Sequence, residues 1–548
     1  MASSSSDSEL HSQVTANIRT LTSILDGVLT AKPNFASESL PSRYRLDIVV
    51  HIANLADNGL PPALAATAVA RPDGTTAIVI CADGPSGLSG TQNDVSVHSQ
   101  VVEQSPVVDL DRSPESPIPV TEYLSDLLHI FGSGTKLSSD RLGLWVLCCS
   151  WRKLSLRVGT YQREWDEPPH ESISHWEPSP EDLRVLRSSP TFTRRFSAHL
   201  SRTLLAAGLQ PDEDRMIVSD DSSLPFTFKP EDASKWVKVV AAILRRLDIA
   251  FPGGRAEDDP GPAPDKDTLS QVNLDIFDLA LLSEFEPLDS ILAHTSLTKR
   301  FRSTSCPRSR WDPSGAGREQ LPIYYLPNLG ACVSSFLRAL ASSHAALLRL
   351  LHYRNIQGRK LSLVFIQFNG VILPRSGDLG TTDLKQAIHK EMDERLPRFG
   401  RQASLPNASK WLEERIKAFQ VKHHIHAEAG LMALAVASRS DVRSAVPDDV
   451  LVQDILCSMV DGGQLPVGTT KMCCWTCWRL GELLYRFTRD SAQRFPVEVR
   501  LPGQRGVTYA WDPPPGIPLE VLKTLEADLL TALADHAIRC TLVKPGAG

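Results

Sequence analysis

The sequence is poor in several features that would set its class at once. Ten cysteines in 548 residues are few. Cys81, Cys148, Cys149, Cys306, Cys332, Cys457 and Cys540 show no disulfide-like spacing. That excludes a stapled secreted scaffold and leads us to expect a reducing compartment, cytoplasmic or nuclear. No basic segment followed by an apolar core opens the chain, so no secretory signal is expected. No apolar run approaches about 18 residues free of charge, so no membrane span or membrane partner is expected. Positive charge is not in excess. The 58 Lys and Arg stand against 64 Asp and Glu, a net of -6, which argues against a broadly basic surface that coats nucleic acid. There is no P-loop, no H-E-x-x-H and no G-x-G-x-x-G behind a strand.

What is present is an ordinary globular composition, 42% hydrophobic and 22% charged, long enough for two to four domains of about 150 residues each. Residues 1–118 read as an α/β region. It has a polar start, a helical stripe at Val14, Ile18, Leu21, Leu25 and Val28, and the segments RLDIVVHIA and TTAIVICA, which read as strands or buried apolar segments, with a PDG turn between them. Residues 83–118, rich in Ser, Gly, Asp and Pro, read as loop or linker. Residues 119–250 read as helical, most clearly where Trp236, Val240, Ile243, Leu244 and Leu247 form a stripe. Residues 251–320 read as linker and loop-rich connection. The last domain is set at 321–548. It opens with a long apolar helix face from Val333 to Leu351, on which His344 reads as a satisfied core histidine. LSLVFIQFNGVILP, residues 361–374, alternates and carries Asn-Gly, a hairpin signal. A fragment from about residue 320 is expected to hold the candidate site described next.

That site lies in residues 421–488. His426-Ala427-Glu428 stands at the mouth of an apolar run in which Ala429, Met432, Ala433 and Val436 recur at helical spacing. Cys474-Trp475-Thr476-Cys477 stands at the mouth of a second, with Leu480, Leu483, Leu484 and Phe487 at i, i+3, i+4 and i+7. LPVGTT before the cysteines reads as a short strand. One His and two Cys match catalytic zinc ligation, which leaves a fourth position open, and Glu428 is the non-ligand acid beside it. Cysteines three apart share a helix face, and thiolates at a helix N-terminus meet the positive end of the dipole. His426 and Glu428, two apart, face one site only in an irregular first turn. The rival readings are a structural zinc site, a redox pair, and a fortuitous motif. His423 and His424 read as a solvated approach or as the pocket mouth.

The two motifs together resemble the cytidine deaminase-like (nucleic acid deaminase) superfamily, whose signature is H-x-E followed by P-C-x-x-C. Cys473 stands where the proline is usual. Val467-Gly468-Thr469-Thr470-Lys471-Met472-Cys473 before the C-x-x-C is similar to a divergent fungal and rickettsial-type branch, as is Gly506-Val507-Thr508-Tyr509-Ala510-Trp511-Asp512-Pro513. The resemblance covers the C-terminal region only, about 190 residues. It implies a three-layer α/β/α deaminase-like domain behind a mainly helical N-terminal region. It also implies Zn2+ as cofactor on His426, Cys474 and Cys477, and Glu428 as proton carrier. The implied activity is hydrolytic deamination, with a base in a nucleic acid, nucleotide or nucleoside as substrate. The alternative is a catalytically inactive deaminase-fold binding or scaffold protein with a structural zinc.

Overall fold

The computed structural model describes residues 3–31, 34–35, 40–59, 63–71, 73–83, 96–114, 118–132, 138–188, 192–216, 223–251, 264–302, 328–353, 359–369, 382–400, 403–418, 424–438, 450–460, 463–490, 496–504 and 506–542. The chain divides into two compact units. One comprises Met1–Ala53, Pro61–Gln104 and Arg359–Gly548, the other Asn54–Leu60 and Ser105–Gly358. The units do not follow the sequence-based boundaries at 118, 250 and 320. Strands close in sequence to the N-terminus belong with the C-terminal region, a long-range pairing that local patterns do not reveal.

The first unit is mixed α/β. Its five-stranded sheet is built from β1 (Leu64–Ala70), β2 (Thr76–Ala82), β3 (Ser96–Val102), β4 (Leu361–Asn369) and β5 (Gly468–Thr469), in the order β5-β1-β2-β4-β3. β2 and β4 run parallel, and the other neighbours are antiparallel. Every residue of β2 is buried, as a continuous Ile- and Val-rich run in a central strand should be. The turn between β1 and β2 uses Gly74 at φ 81°, and Asp73 Oδ1 accepts the Thr75 N–H at 2.8 Å. Its helices include α1 (Ser3–Ile24), α2 (Ala427–Ala437) and α3 (Trp475–Asp490).

Two expectations differ from the structure. RLDIVVHIA is not a strand; it lies in the helix Leu40–Ala56. Leu46, Val49 and Ala53 are buried at i, i+3 and i+7, a period that the β-branched residues between them disguise. Part of residues 83–118 is not loop, because Ser96–Val102 forms β3. It lies at the sheet edge, where residues 97–101 alternate between half-buried and exposed and carry little apolar signal. LSLVFIQFN is a strand, but it pairs with β2 and β3. Residues 370–374, the second arm of the expected hairpin, lie outside the described residues.

The second unit is helical, with one two-stranded ribbon among the described residues, Thr193–Phe196 against Leu224–Thr227. Its core joins Trp236, Val240, Ile243, Leu244 and Leu247 with Val333, Phe336, Leu337 and Leu340. Residues 264–302 are not linker. Helices Lys266–Ser283 and Glu286–His294 bury Leu269, Val272, Ile276 and Leu279 in that core. Residues 252–263 and 303–320, the remainder of the expected linker and loops, lie outside the described residues. Among the described residues, one helix, Leu329–His352, has the length and mean hydropathy, 1.3, of a bilayer-crossing helix, and 56% of that window is buried within the protein. Arg338 interrupts its apolar run.

His344 lies on this helix, 2% exposed. Its Nε2 donates to Asn273 Oδ1 at 2.9 Å, and the Asn273 amide nitrogen donates to the Asp140 carbonyl at 3.2 Å, which fixes the amide orientation. Burial pulls the pKa of His344 down to about 3, and a backbone hydrogen bond at Gly143 offsets only part of this. The unfolded chain therefore binds the proton that the folded chain refuses. The stability held by neutral His344 is complete above pH 6.5 and drains as pH falls toward 3. We expect His344→Asn to be less stable than the parent at pH 7. Urea unfolding should show that gap closing by a few kcal/mol, as an order of magnitude, toward pH 3. A pH-independent gap would remove the histidine from the acid response.

The shared sheet yields a second expectation. A fragment spanning 320–548 lacks β1, β2 and β3 and should retain no tightly bound metal, contrary to the sequence-based expectation. Supplying residues 1–104 by fusion or co-expression should restore it, as read by metal content of the purified protein.

Candidate metal centre

α2 begins at Ala427, and His426 is its N-cap at φ -68°, ψ 138°. This extended conformation takes His426 off the helix and lets it share a site with Glu428, the second helical residue. His426 Nδ1 lies 3.5 Å from Cys474 Sγ and 3.4 Å from Cys477 Sγ. Glu428 Oε1 lies 4.0 Å from the same nitrogen. One donor atom from each of the four residues falls within 4.8 Å of every other. Tetrahedral ligands at about 2.0–2.3 Å from a common ion stand about 3–4 Å apart. The structure thus brings together the four residues singled out in the sequence, and they could hold a metal ion. All four are buried.

Cys474 immediately precedes α3, and Cys477 sits in its first turn. The Cys477 N–H donates to Cys474 Sγ at 3.3 Å, so the sulfur accepts one of the helix's orphan donors. Cys473 is buried and donates its thiol to the Gly503 carbonyl at 2.9 Å. His424 is not in the donor cluster. Its ring lies beside His426, centroids 4.8 Å apart, and is partly exposed. His423 lies outside the described residues.

Sequence reading missed Asp83. This buried carboxylate follows β2 directly. It accepts the Ala427 N–H, and its other oxygen lies 4.0 Å from His424 Nε2. In the sequence it opens a polar stretch and reads as the start of a linker. The available signal was an acid closing an all-apolar strand, since the carboxyl ends of strands in α/β sheets face ligand sites.

Charge in the cluster is strongly coupled. Burial opposes the charge on His426, but Cys474, Glu428 and Asp83 outweigh it and push its pKa up to about 10. Burial also opposes a Cys474 thiolate, yet the Cys477 hydrogen bond and the His426 charge hold that thiol well below its usual range. Burial, then the adjoining Cys474 sulfur, holds Cys477 well above it. Burial raises Glu428, with His426 opposing and Cys474 adding. Asp83 is pushed up to about 7 by burial, against the pull of His426 and with Glu428 adding. A divalent cation with affinity for thiolate takes the place of protons in such a set, so binding releases them.

Among the described residues, several basic side chains near the two motifs are engaged. Arg395 pairs with Asp535, Arg489 with Asp490 and Arg500 with Glu498. Arg415 donates to the Ile24 carbonyl at 3.1 Å. Comparison with known proteins returns no matching family, no matching curated protein and no matching solved structure.

Packing against the sheet sets the position of α2. A Cβ on Gly430 would come 2.2 Å from the Phe368 ring, and Phe368 is fully buried. Alanine in a helix interior normally gains about 0.5–1 kcal/mol over glycine. Here overpacking, about 1–3 kcal/mol, opposes and exceeds that gain. Gly430→Ala is expected to lower the melting temperature and weaken metal retention together. Melting curves and metal stoichiometry check this, and a more stable variant would show that the helix is free to shift.

Proposed function

We propose that the chain is a zinc-dependent hydrolytic deaminase acting on a base in a nucleic acid, nucleotide or nucleoside. The observation that carries this reading is the convergence of His426, Cys474 and Cys477 with Glu428 beside them, at the starts of two buried helices. Imidazole plus two thiolates is a donor set suited to zinc and neutralises its charge. The order of elements along part of the chain supports this reading, although Gln464–Pro466 and Glu498–Arg500 pair with each other in a separate two-stranded sheet. An antiparallel strand pair, β1 and β2, precedes the H-x-E helix. A strand at Gln464–Pro466 and β5 then precedes the C-x-x-C helix, followed by the parallel strand Glu498–Arg500. The glycine-hydroxyl-Lys run Gly468-Thr469-Thr470-Lys471 before the cysteines supports the fungal and rickettsial-type branch.

His426, Cys474 and Cys477 would hold the zinc, which supplies a Lewis acid that makes hydroxide available near neutral pH. Glu428 is the proton carrier. Its burial favours the neutral acid, so a proton taken from water is kept close until the base accepts it. In this role Glu428 first receives the water proton, then passes protons to the ring nitrogen and to the departing ammonia. Its position in the first turn of α2, next to the ligand His426, keeps the carboxylate within reach of the same point as the three donors.

The test compares the parent, Glu428→Gln and Cys474→Ser for zinc content, thermal melting and ammonia release from a panel of bases, nucleosides, nucleotides and nucleic acids. Glu428→Gln is expected to keep zinc and fold while losing about 10²-fold or more in turnover. Cys474→Ser is expected to lose zinc and local stability. Full activity in Glu428→Gln, or a zinc-loaded parent inert on the whole panel, would overturn the deaminase reading.

A further inference from the structure

α2 has an unusual start. The N-cap side chain of a helix normally accepts an N–H from the first turn. His426 occupies the N-cap but makes no such hydrogen bond, because its Nδ1 is turned toward Cys474 and Cys477. A ligand at the N-cap cannot also cap. The Glu428 carboxylate accepts its own N–H, which leaves the buried Ala427 N–H to find an acceptor from outside the segment.

Asp83 supplies the missing acceptor from a different element. Fixed at the end of β2, it takes the Ala427 N–H, the donor next to His426 in sequence. Its second oxygen faces His424 Nε2 at 4.0 Å. On the other side of the same segment, the Asp512 N–H donates to the His424 carbonyl at 3.1 Å, and Ile425 between the two histidines is fully buried. The segment His424–Ala427 is thus held from two directions. The peptide that leads directly out of His426 has its carbonyl bound within the helix by the Gly430 N–H at 3.0 Å, and among the described residues Asp83 is the side chain that binds its N–H.

We infer that Asp83 is the positioning residue of the metal centre, holding His426 in ligating orientation through the Ala427 N–H without itself being a ligand. This rests on the metal-binding part of the proposed function and not on deamination. The carboxylate caps in trans because the N-cap residue is committed to the metal. It follows that the oxygen acceptor is what matters at position 83. Asn retains that acceptor with nearly the same shape, and Ala removes it.

The experiment is a Co2+ titration of the full chain as parent, Asp83→Ala, Asp83→Asn and Cys474→Ser. The thiolate-to-metal and d–d absorption bands are followed, with affinity measured by chelator competition. Outer partners of metal ligands are usually worth about 10–100-fold in affinity. Asp83→Ala is expected to lose that much and to show altered d–d bands, which a purely structural weakening would leave in place. Asp83→Asn is expected to restore the parent spectrum and come within a few-fold of its affinity. Parent-like affinity and spectrum in Asp83→Ala would overturn the inference. So would Asp83→Asn failing as completely as Asp83→Ala, since charge rather than the hydrogen bond would then be responsible. Should Asp83→Ala fail to fold, the Asn variant alone decides. A parent that binds Co2+ no better than Cys474→Ser overturns the metal reading, and this inference with it.

Discussion

The register between β1 and β5 is the constraint on which the centre depends. Gly468 faces Ala66 and Thr469 faces Ala65. Beyond β5, the Thr470 N–H donates to the Leu64 carbonyl at 3.1 Å, and the Leu64 N–H donates to Thr470 Oγ1 at 3.2 Å. Four residues later comes Cys474. α2, carrying His426, packs on β1 and β2. One strand therefore sets both halves of the donor cluster, although His426 and Cys474 are 48 residues apart in sequence. A slip of one residue would turn every β5 side chain to the opposite face. Gly468 makes the arrangement tight. A Cβ there would lie 2.1 Å from the Val49 backbone, so the helix Leu40–Ala56 can approach the strand only over glycine.

The ends of the chain contribute to the same frame. Arg19 on α1 pairs with the nearly buried Asp512 at 2.7 Å. Thr22 Oγ1 accepts the Trp511 N–H at 3.1 Å, and Asp26 Oδ1 accepts the Ala510 N–H at 3.1 Å. Val28–Leu29 pairs with Val507–Thr508. Through Asp512 these contacts reach the His424 carbonyl. Breaking the Arg19–Asp512 pair would leave a buried carboxylate uncompensated, which costs more than the intact pair contributes. The distal segment resembled a deaminase strand in sequence. In the structure it is the link that carries the order of α1 to the residues just before His426.

How much of this was legible follows from the range of each signal. The two helices of the centre were readable because their apolar stripes are local, Leu480, Leu483 and Leu484 on α3 for example. The irregular start that reconciles His426 with Glu428 followed from their spacing alone. The partners of β2 were not readable, because β4 lies some 280 residues further on and nothing in either strand names the other. β1, LAATAVA, is too small in side-chain volume to stand out, yet it is the hinge of the site. Asp83 was hidden for the opposite reason. Its neighbours beyond position 83 are polar, so the residue was absorbed into a loop although its own side chain is buried. In each case the missing information is a long-range contact, not a local preference.

The same sheet explains how the candidate metal centre tolerates a long helical interruption between β3 and β4. Val102 near the exit faces Leu363 near the return. The first unit thus releases the chain and receives it back at adjacent antiparallel strands. Closing a loop of n residues costs an entropy that grows only with the logarithm of n, about 0.6 kcal/mol for each doubling. Once β3 and β4 are paired, the length between them is nearly irrelevant to the sheet. The register that matters for the metal, β1 against β5, lies on the far side of β2 and β4 from that junction. Loop-closure entropy therefore sets little limit on the length of chain between residues 105 and 358, whereas the register within Leu64–Asp83 bears on His426 through the strands on which α2 packs.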